Sequence, residues 1–255
     1  MPGRRRGTRP GVGVLAALVA ATSLALGGCA ADRVAPETVR NEAAEDAGGA
    51  FGSVDCRAAK CIALTFDAGP GPYTAELLDV LAERDVPATF FLLGKRHIDT
   101  YPELVRRIAE EGHELANHTW SHPRLTELDR SEIREELTRT QRAIAELTGV
   151  TPTLMRPPQG RTDDTVGEVC RDLGLSQVLW SVTAKDYDTN DSALITRRVL
   201  DQADRDGIIL LHDIYRGTVP AVPGIIEALR DQGYTFVTVP QLMAPGVPEP
   251  GVVYR

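Results

Sequence analysis

Residues 61–93 decide the fold class: they contain the segments CIALTF, DAGPGP, YTAELLDVLAER and, after a short linker, ATFFLL. Cys61–Phe66 and Ala88–Leu93 are short apolar runs rich in branched and aromatic residues, a composition typical of buried strands. Tyr73–Arg84, between them, carries its leucines at helical spacing. A strand, a helix and a strand in this order predict two parallel strands joined by a crossover helix.

The same alternation continues almost to the end of the chain. Each of the next predicted strands follows a helical segment, and several of those helices end at a glycine. Seven strands separated by helices predict an α/β fold with a parallel sheet, either open or closed into a barrel. In both forms, reactive residues belong at the carboxyl ends of the strands. The five further strands are His113–Asn117, Leu154–Arg156, Gln177–Trp180, Ile208–Leu211 and Tyr234–Val237.

Composition limits the function classes. The chain has 255 residues, with 28 Lys and Arg against 36 Asp and Glu, for a formal net charge of −8. An acidic chain repels phosphate backbones, which disfavours nucleic-acid binding. The hydrophobic fraction of 42% and the charged fraction of 25% are those of a globular protein. The length suits one large α/β domain or two small ones.

Residues 1–28 are interpreted as an export signal. Four arginines precede the uncharged run Gly11–Leu26, which is shorter than the roughly 20 residues that a membrane-spanning helix needs. The following residues, Leu26-Gly27-Gly28-Cys29, resemble a bacterial lipobox, so Cys29 is the expected lipidation site. The alternatives are an ordinary signal peptide and an uncleaved anchor. The mature protein is expected on the cell membrane facing the cell wall, or secreted.

Three further segments follow from composition. Residues 29–55 are small and charged, which predicts a flexible tether. Residues 56–243 form the predicted folded domain, and the Pro/Gly-rich residues 244–255 are expected to be a loose tail. Outside the cytoplasm, Cys56 and Cys61 predict a disulfide, with two free thiols as the alternative.

Polar residues cluster directly after five of the predicted strands. Because the carboxyl ends of parallel strands meet at one rim, we expect these side chains to converge on one site. An aspartate, two imidazoles, a guanidinium, further carboxylates and a third imidazole make a catalytic constellation when they meet. The residues are Asp67, His118, His122, Arg156, Asp186, Asp188, His212 and Asp213.

The histidines and tryptophans are interpreted one by one. His118 and His122 are spaced i, i+4, which on a helical turn puts both rings on one face, as in a zinc site; a coincidental exposed pair is the alternative. His97 is interpreted as an exposed residue. Trp120 and Trp180 are candidates for a platform that binds sugar faces, and core packing is the alternative for Trp180.

From about Cys61 to about Met243, these blocks and their order resemble the polysaccharide deacetylase family with the NodB-homology domain, carbohydrate esterase family four. The resemblance implies a distorted (β/α)7-type barrel of parallel strands. It implies removal of N-acetyl groups from a polysaccharide that contains N-acetylglucosamine, either peptidoglycan or a chitin-like glycan. The implied cofactor is a divalent metal, zinc first and cobalt second. The expected partners are the glycan and, through lipidated Cys29, a membrane, with the protein acting as a monomer.

The resemblance also implies roles for the residues of the intact motifs. Asp67, in T-F-D-A-G-P, corresponds to the catalytic base. His118 and His122, in H-x-x-x-H, correspond to metal ligands. Arg156, in R-x-P-x-G, corresponds to the residue that holds the base. His212, in L-x-H, corresponds to the catalytic acid.

The same motifs supply further expected contacts. A backbone N–H near Gln159 and Gly160 is expected to stabilise the oxyanion. Asp186 is expected to tune the charge of His212. Leu210 and Trp180 are expected to contact substrate.

The sequence departs from the family pattern at three places, one of which is Gln159, where an aromatic residue is common but a backbone donor survives the exchange. The first block is usually T-F-D-D-G-P, and Ala68 stands where the second Asp would bind the metal. In the D-x-x-D-W block, Thr183 and Asp186 stand at the Asp positions and Tyr187 replaces Trp. Three consequences of Ala68 are open: Asp67 becomes the third ligand, a water fills the gap, or catalysis is lost and the protein only binds glycan. We expect activity to survive; an O-acetyl xylan esterase is a further alternative.

Overall fold

The sheet of this protein is built from short parallel strands. The structure is a computed structural model that describes Met1, Gly3, residues 33–46 and residues 54–255. Within these residues ten strands pair into one sheet, and all of the pairings are parallel. The strands are β1 (Arg33–Val34), β2 (Lys60–Asp67), β3 (Thr89–Leu92), β4 (Glu114–Asn117), β5 (Leu154–Met155), β6 (Ser176–Val178), β7 (Val182–Thr183), β8 (Gly207–Leu211), β9 (Tyr234–Val237) and β10 (Val253–Tyr254).

Helices connect most of these strands and cover the sheet. The longest of them, α4, begins at an aspartate cap, since the Asp129 carboxylate accepts from the backbone N–H groups of Ser131 and Glu132. It ends at Gly149, whose φ of 74° is the left-handed conformation of a helix end. The helices are α1 (Pro36–Asp46), α2 (Thr74–Glu83), α3 (Pro102–Glu110), α4 (Arg130–Thr148), α5 (Asp164–Asp172), α6 (Ser192–Leu200), α7 (Val222–Asp231) and α8 (Val239–Met243).

The strand order places β2 between β3 and β8 inside the sheet. The strands run β1-β10-β6-β5-β4-β3-β2-β8-β7, and β9 pairs with the first half of β2. The sheet curls like half a barrel. Seven of the eight residues of β2 are buried, so this strand has apolar contacts on both faces. The carboxyl ends of β2, β4 and β8 consequently lie on one rim.

All seven strands predicted from the sequence are present, and three were missed. β1, β7 and β10 have two residues each, too few for a periodic pattern. A helix separates each of the seven predicted strands from the next, as expected, whereas the missed strand β7 follows β6 after only a short turn.

The predicted tether and tail are wrong where the structure describes them. β1, from the expected tether, pairs with β10, from the expected loose tail, and β10 pairs with β6. Arg40 of α1 is 3% exposed and binds both carboxylate oxygens of Asp206 at 2.9 Å. Polar composition suggested a solvated linker, but backbone pairing and a buried ion pair attach both segments to the domain.

The cysteines and the terminal signal complete the description. Cys56 and Cys61 form a disulfide just before β2, and Cys170 is a buried free thiol on α5. The predicted lipidation site, Cys29, and residues 4–28 lie outside the described residues. Of the helices that the structure does describe, none combines the length and apolarity needed to cross a bilayer.

Candidate active site

A cavity of about 680 Å³ opens at the rim where β2, β4 and β8 end. It gathers predicted residues from several sequence blocks, among them Asp67, His118, His122 and His212. The residues that line it are Asp67, Ala68, Leu93, His97, His118, His122, Gln159, Trp180, Thr183, Lys185, Tyr187, Leu210, His212, Ile214 and Tyr215.

Asp67 is held by a buried arginine. The Nη1 of Arg156 donates to Asp67 Oδ1 at 2.6 Å and to Thr65 Oγ1 at 2.8 Å. The Nε and Nη2 groups donate to the carbonyl oxygens of Val178 and Leu179, so the guanidinium, which is 0% exposed, has partners on all three nitrogens. A buried charge pair of this kind keeps Asp67 in one orientation, with Oδ1 occupied and Oδ2 left toward His118, 3.9 Å from its Nε2.

His118 and His122 meet in a loop. The rings lie 5.0 Å apart between centroids, in a segment with left-handed backbone at Thr119 (φ 71°) and His122 (φ 62°). The expectation that a helical turn aligns them is therefore wrong, although the proximity it predicted is present. Glu136 of α4 stabilises the loop, because its carboxylate accepts from the backbone N–H groups of Trp120 and Ser121 at 2.9 and 2.7 Å.

Burial keeps both of these imidazoles neutral. It lowers the pKa of His118 to about 4 and also lowers the pKa of His122. The Nδ1–H of His118 donates to the carbonyl oxygen of Arg156 at 2.8 Å. Since a carbonyl only accepts, the proton is on Nδ1 and the lone pair is on Nε2. A neutral imidazole fixed in this way has the arrangement of a metal ligand.

His212 and Asp186 form a separate pair across the cavity. The Nδ1 of His212 lies 2.8 Å from Asp186 Oδ1, and its backbone N–H donates to Asp186 Oδ2 at 2.7 Å. The hydroxyl of Thr218 donates to the same Oδ2 at 2.7 Å. Burial lowers the pKa of His212, but the hydrogen bond and charge of Asp186 outweigh it, so the pKa is raised. The pair is thus built to hold a protonated imidazole.

The turn after β5 provides a free backbone donor. Gln159 has a φ of 60°, and no acceptor for its N–H is found in the described part of the chain. The N–H of Gly160, which was grouped with Gln159 at the expected oxyanion site, binds the carbonyl oxygen of Pro157 at 2.9 Å. A Cβ at Gly160 would lie 3.0 Å from the Trp180 ring, so this glycine lets the turn approach Trp180 closely.

The two predicted tryptophans have different positions. Trp180 and Leu210 line the cavity as expected. Trp120 does not line it; its ring packs against Gly94 and lies under the Arg139 guanidinium at 3.9 Å. The assignment of Trp120 to a sugar platform is therefore wrong.

Sequence reasoning missed several residues of the site. Ile214 and Tyr215 directly follow the L-x-H block, and their position after β8 could have indicated them; the Tyr215 ring lies 5.4 Å from that of His212. Asp213, by contrast, was among the residues predicted to converge; it is fully buried, no partner of its Oδ1 is found within the described residues, and burial raises its pKa to about 6. His97, interpreted as exposed, is half-buried and lines the cavity.

The ligand atoms near Ala68 are of a type that binds divalent cations, but there is one ligand fewer than such a site usually has. His118 and His122 provide neutral imidazoles, which suit zinc and neighbouring metals. Ala68, which faces the same cavity, has no donor atom. No group of three His, Cys, Asp or Glu side chains within the described residues is arranged as a metal site, even with Asp67.

Comparison with known proteins places these features in a family. A model of the polysaccharide deacetylase family matches residues 55–178. A peptidoglycan-N-acetylglucosamine deacetylase, PgdA of Listeria monocytogenes, is 40% identical over 184 residues, which is 72% of this chain and 39% of the relative. A peptidoglycan-N-acetylmuramic acid deacetylase, PdaC of Bacillus subtilis, is 44% identical over 184 residues, or 72% of this chain and 38% of the relative. The chain thus spans about two fifths of the length of these two relatives.

Two solved structures of related sequence share the fold of this chain. A deacetylase solved with substrate has a TM-score of 0.76 and 41% identity, over 80% of this chain and 100% of that chain. A mutant of a CE4 family pseudoenzyme, described as having restored enzymatic activity, has a TM-score of 0.69 and 29% identity, over 73% of this chain and 68% of that chain.

Proposed function

The chain belongs to the polysaccharide deacetylase family, and on that basis we propose that it removes N-acetyl groups from a polysaccharide containing N-acetylglucosamine. The observation that carries the proposal is the convergence of Asp67, His118, His122 and His212 on one cavity. Peptidoglycan is the favoured substrate, because both relatives described above are peptidoglycan deacetylases.

The reaction is hydrolysis of an acetamide. The oxygen of a water forms a bond to the acetyl carbon, the carbon–nitrogen bond breaks, and acetate and a free sugar amine are released. Members of the family generally depend on a metal. His118 and His122 are the residues that would hold it, and the bound cation would supply Lewis acidity to the attacking water and to the acetyl oxygen.

Asp67 is the proposed base. Its Oδ1 is bound by Arg156, so Oδ2 is the oxygen free to accept a proton from the attacking water. The N–H of Gln159 is the proposed donor to the developing oxyanion, since it has no acceptor in the described residues.

His212 is the proposed acid. With Nδ1 bound to Asp186, the Nε2–H of the imidazolium is the proton that remains for the departing amine. Asp186 stabilises the charged ring, and the raised pKa of His212 extends the pH range in which the ring stays protonated.

Acetate release tests this proposal. Purified protein supplied with zinc or cobalt should release acetate from N-acetylglucosamine oligomers and from peptidoglycan fragments. Acetylated xylan serves as the comparison substrate for an O-acetyl esterase. No acetate from any of these at saturating metal would contradict the enzyme proposal.

A glycan-binding protein without turnover is the second candidate. Two observations favour it: Ala68 lacks a donor atom, and a pseudoenzyme is among the structural relatives. Retention of the protein on immobilised chitooligosaccharide, together with no acetate release, would support this function.

We further propose that the protein is exported and anchored through Cys29. The support is the arginine-rich start, the apolar run and the LGGC motif. Labelling with a fatty-acid analogue should mark the wild type and not Cys29→Ser. Equal labelling of both would exclude Cys29 as the lipidation site.

A further inference from the structure

One imidazole in the cavity has no role in the proposed reaction. His97 lines the cavity together with Ala68, His118 and His122. Its Nδ1 lies 3.0 Å from the carbonyl oxygen of Pro70. A carbonyl only accepts, so Nδ1 carries the hydrogen and Nε2 of the neutral ring carries the lone pair. No partner of Nε2 is found within the described residues.

The turn that carries His97 is attached to both sides of the metal region. Gly94 and Lys95 donate their backbone N–H groups to the carbonyl oxygens of Thr119 and Trp120 at 3.1 and 2.7 Å, between the two predicted ligands. Leu93 donates to the carbonyl oxygen of Gly69 at 2.9 Å, the residue next to Ala68. Three backbone bonds thus join the His97 turn to the segment that bears His118 and His122 and to the segment that bears Ala68.

Gly94 makes this close approach feasible. A Cβ at this position would lie 2.1 Å from a carbon of the Trp120 ring, so a residue with a side chain would push the turn away from the ligand loop. The turn that carries His97 is therefore held against the loop of His118 and His122 by packing as well as by hydrogen bonds.

We propose that His97 is the third protein ligand of the cation held by His118 and His122, at the side of the cavity where Ala68 has no donor. This inference rests on the proposed function, because it concerns the same cation. Catalytic zinc sites use three protein ligands and one open position, and three imidazoles form such a set. Three neutral ligands leave the full charge of the cation in place and favour zinc, cobalt or nickel over magnesium or calcium.

Binding requires a movement of the His97 side chain. The three imidazoles are not arranged as a closed metal site in this structure. His97 is half-buried, and one hydrogen bond to Pro70 restrains its ring, so the movement exchanges that bond for a metal–nitrogen bond.

A double-mutant cycle on zinc affinity tests the assignment. Zinc alone is titrated into the purified wild type, His97→Ala, Ala68→Asp and the double variant, with Lys95→Ala, an exposed residue of the same turn, as the control. His97→Ala should weaken zinc binding about tenfold or more, as loss of a ligand or its support does elsewhere. In the Ala68→Asp background the loss should be much smaller, because the carboxylate restores a donor. Lys95→Ala should bind zinc like the wild type.

A spectroscopic variant gives an answer that does not depend on affinity. His97→Cys loaded with cobalt should show a thiolate-to-cobalt charge-transfer band in the near ultraviolet, which the wild type, whose one free thiol within the described residues is the buried Cys170, should lack. Thermal unfolding without metal checks that each variant folds.

Two results would overturn the proposal: equal zinc affinity of the wild type and His97→Ala, or no thiolate band in folded, cobalt-loaded His97→Cys. Failure of the proposed function looks different. A wild type that binds zinc through His97 but releases no acetate would contradict the deacetylase function and leave the ligand assignment standing.

Discussion

The two halves of the cavity differ in how completely their polar atoms are bonded. On one side, His212, Asp186 and Thr218 form a connected set in which both carboxylate oxygens have donors. On the other side, His118 and His122 have an alanine, Ala68, beside them. The half proposed to supply the acid is determined by hydrogen bonds already present, whereas the half proposed to hold a metal has no arranged group of three ligands within the described residues. The proton-transfer residues should therefore tolerate less change than the metal-binding region.

The largest expected effect is on the acid half. His212→Ala should reduce turnover about 100- to 10,000-fold, because the departing amine loses its proton donor. Acetate release measures turnover, and metal content, measured in parallel, should stay unchanged. The control is His113→Gln, which changes a buried imidazole outside the cavity. Loss of metal from His212→Ala would instead make His212 a ligand.

The second-largest effect concerns the buried ion pair of Arg156 and Asp67. Arg156→Met should lower the free energy of unfolding by about 3–5 kcal/mol, because Asp67 would keep a buried charge without its partner. Urea titration measures the change. The matched control, Arg134→Met, breaks an exposed ion pair with Asp172 and should cost at most about 1 kcal/mol. Equal losses in the two variants would show that the buried pair is not structural.

A smaller effect is expected from completing the metal half. Ala68→Asp should lower the zinc concentration for half-maximal activity about tenfold. The backbone suits the change, since Ala68 has a φ of 63°, a conformation that Asp adopts more readily than Ala. Ala68→Asn is the control, because it gives the same backbone relief without the charge. Unchanged zinc dependence of Ala68→Asp would mean that position 68 does not face the cation.

The smallest expected effect is a shift in the pH profile. The pKa of His212 is raised, so its acid form persists above the usual 6.5 and kcat/KM should fall only as the pH rises through that higher value. Burial lowers the pKa of His212, and the hydrogen bond and charge of Asp186 raise it by more. The nearby carboxyl of Asp213 adds to the increase. Asp213→Asn should move the alkaline limb down by about half a unit.

The control for this shift is Asp188→Asn, a change at the surface that should leave the limb in place. Asp188 is bonded to Arg198 and is not among the carboxylates that raise the pKa of His212 most. A shift to higher pH in Asp213→Asn would contradict the sign of the proposed interaction.

Local sequence patterns were sufficient for much of this protein. The apolar runs of β2, β3 and β8 predicted the central strands, because a buried parallel strand needs branched and aromatic residues on both faces. Residues that directly follow such strands share a rim, so the positions of Asp67 and His212 in one cavity followed from sequence order. The sequence also showed, at Ala68, where the site departs from its family.

Tertiary structure decided the rest, because the outcome depends on partners far away in the chain. β1 pairs with β10 across more than two hundred residues, and β10 also pairs with β6, contacts that no local periodicity records. The left-handed loop that brings His118 and His122 together depends on Glu136, and the position of His97 depends on backbone bonds to Thr119 and Trp120. Such contacts form between segments that are separate in sequence, so the residues themselves determined the chemistry available and the fold determined which of them meet.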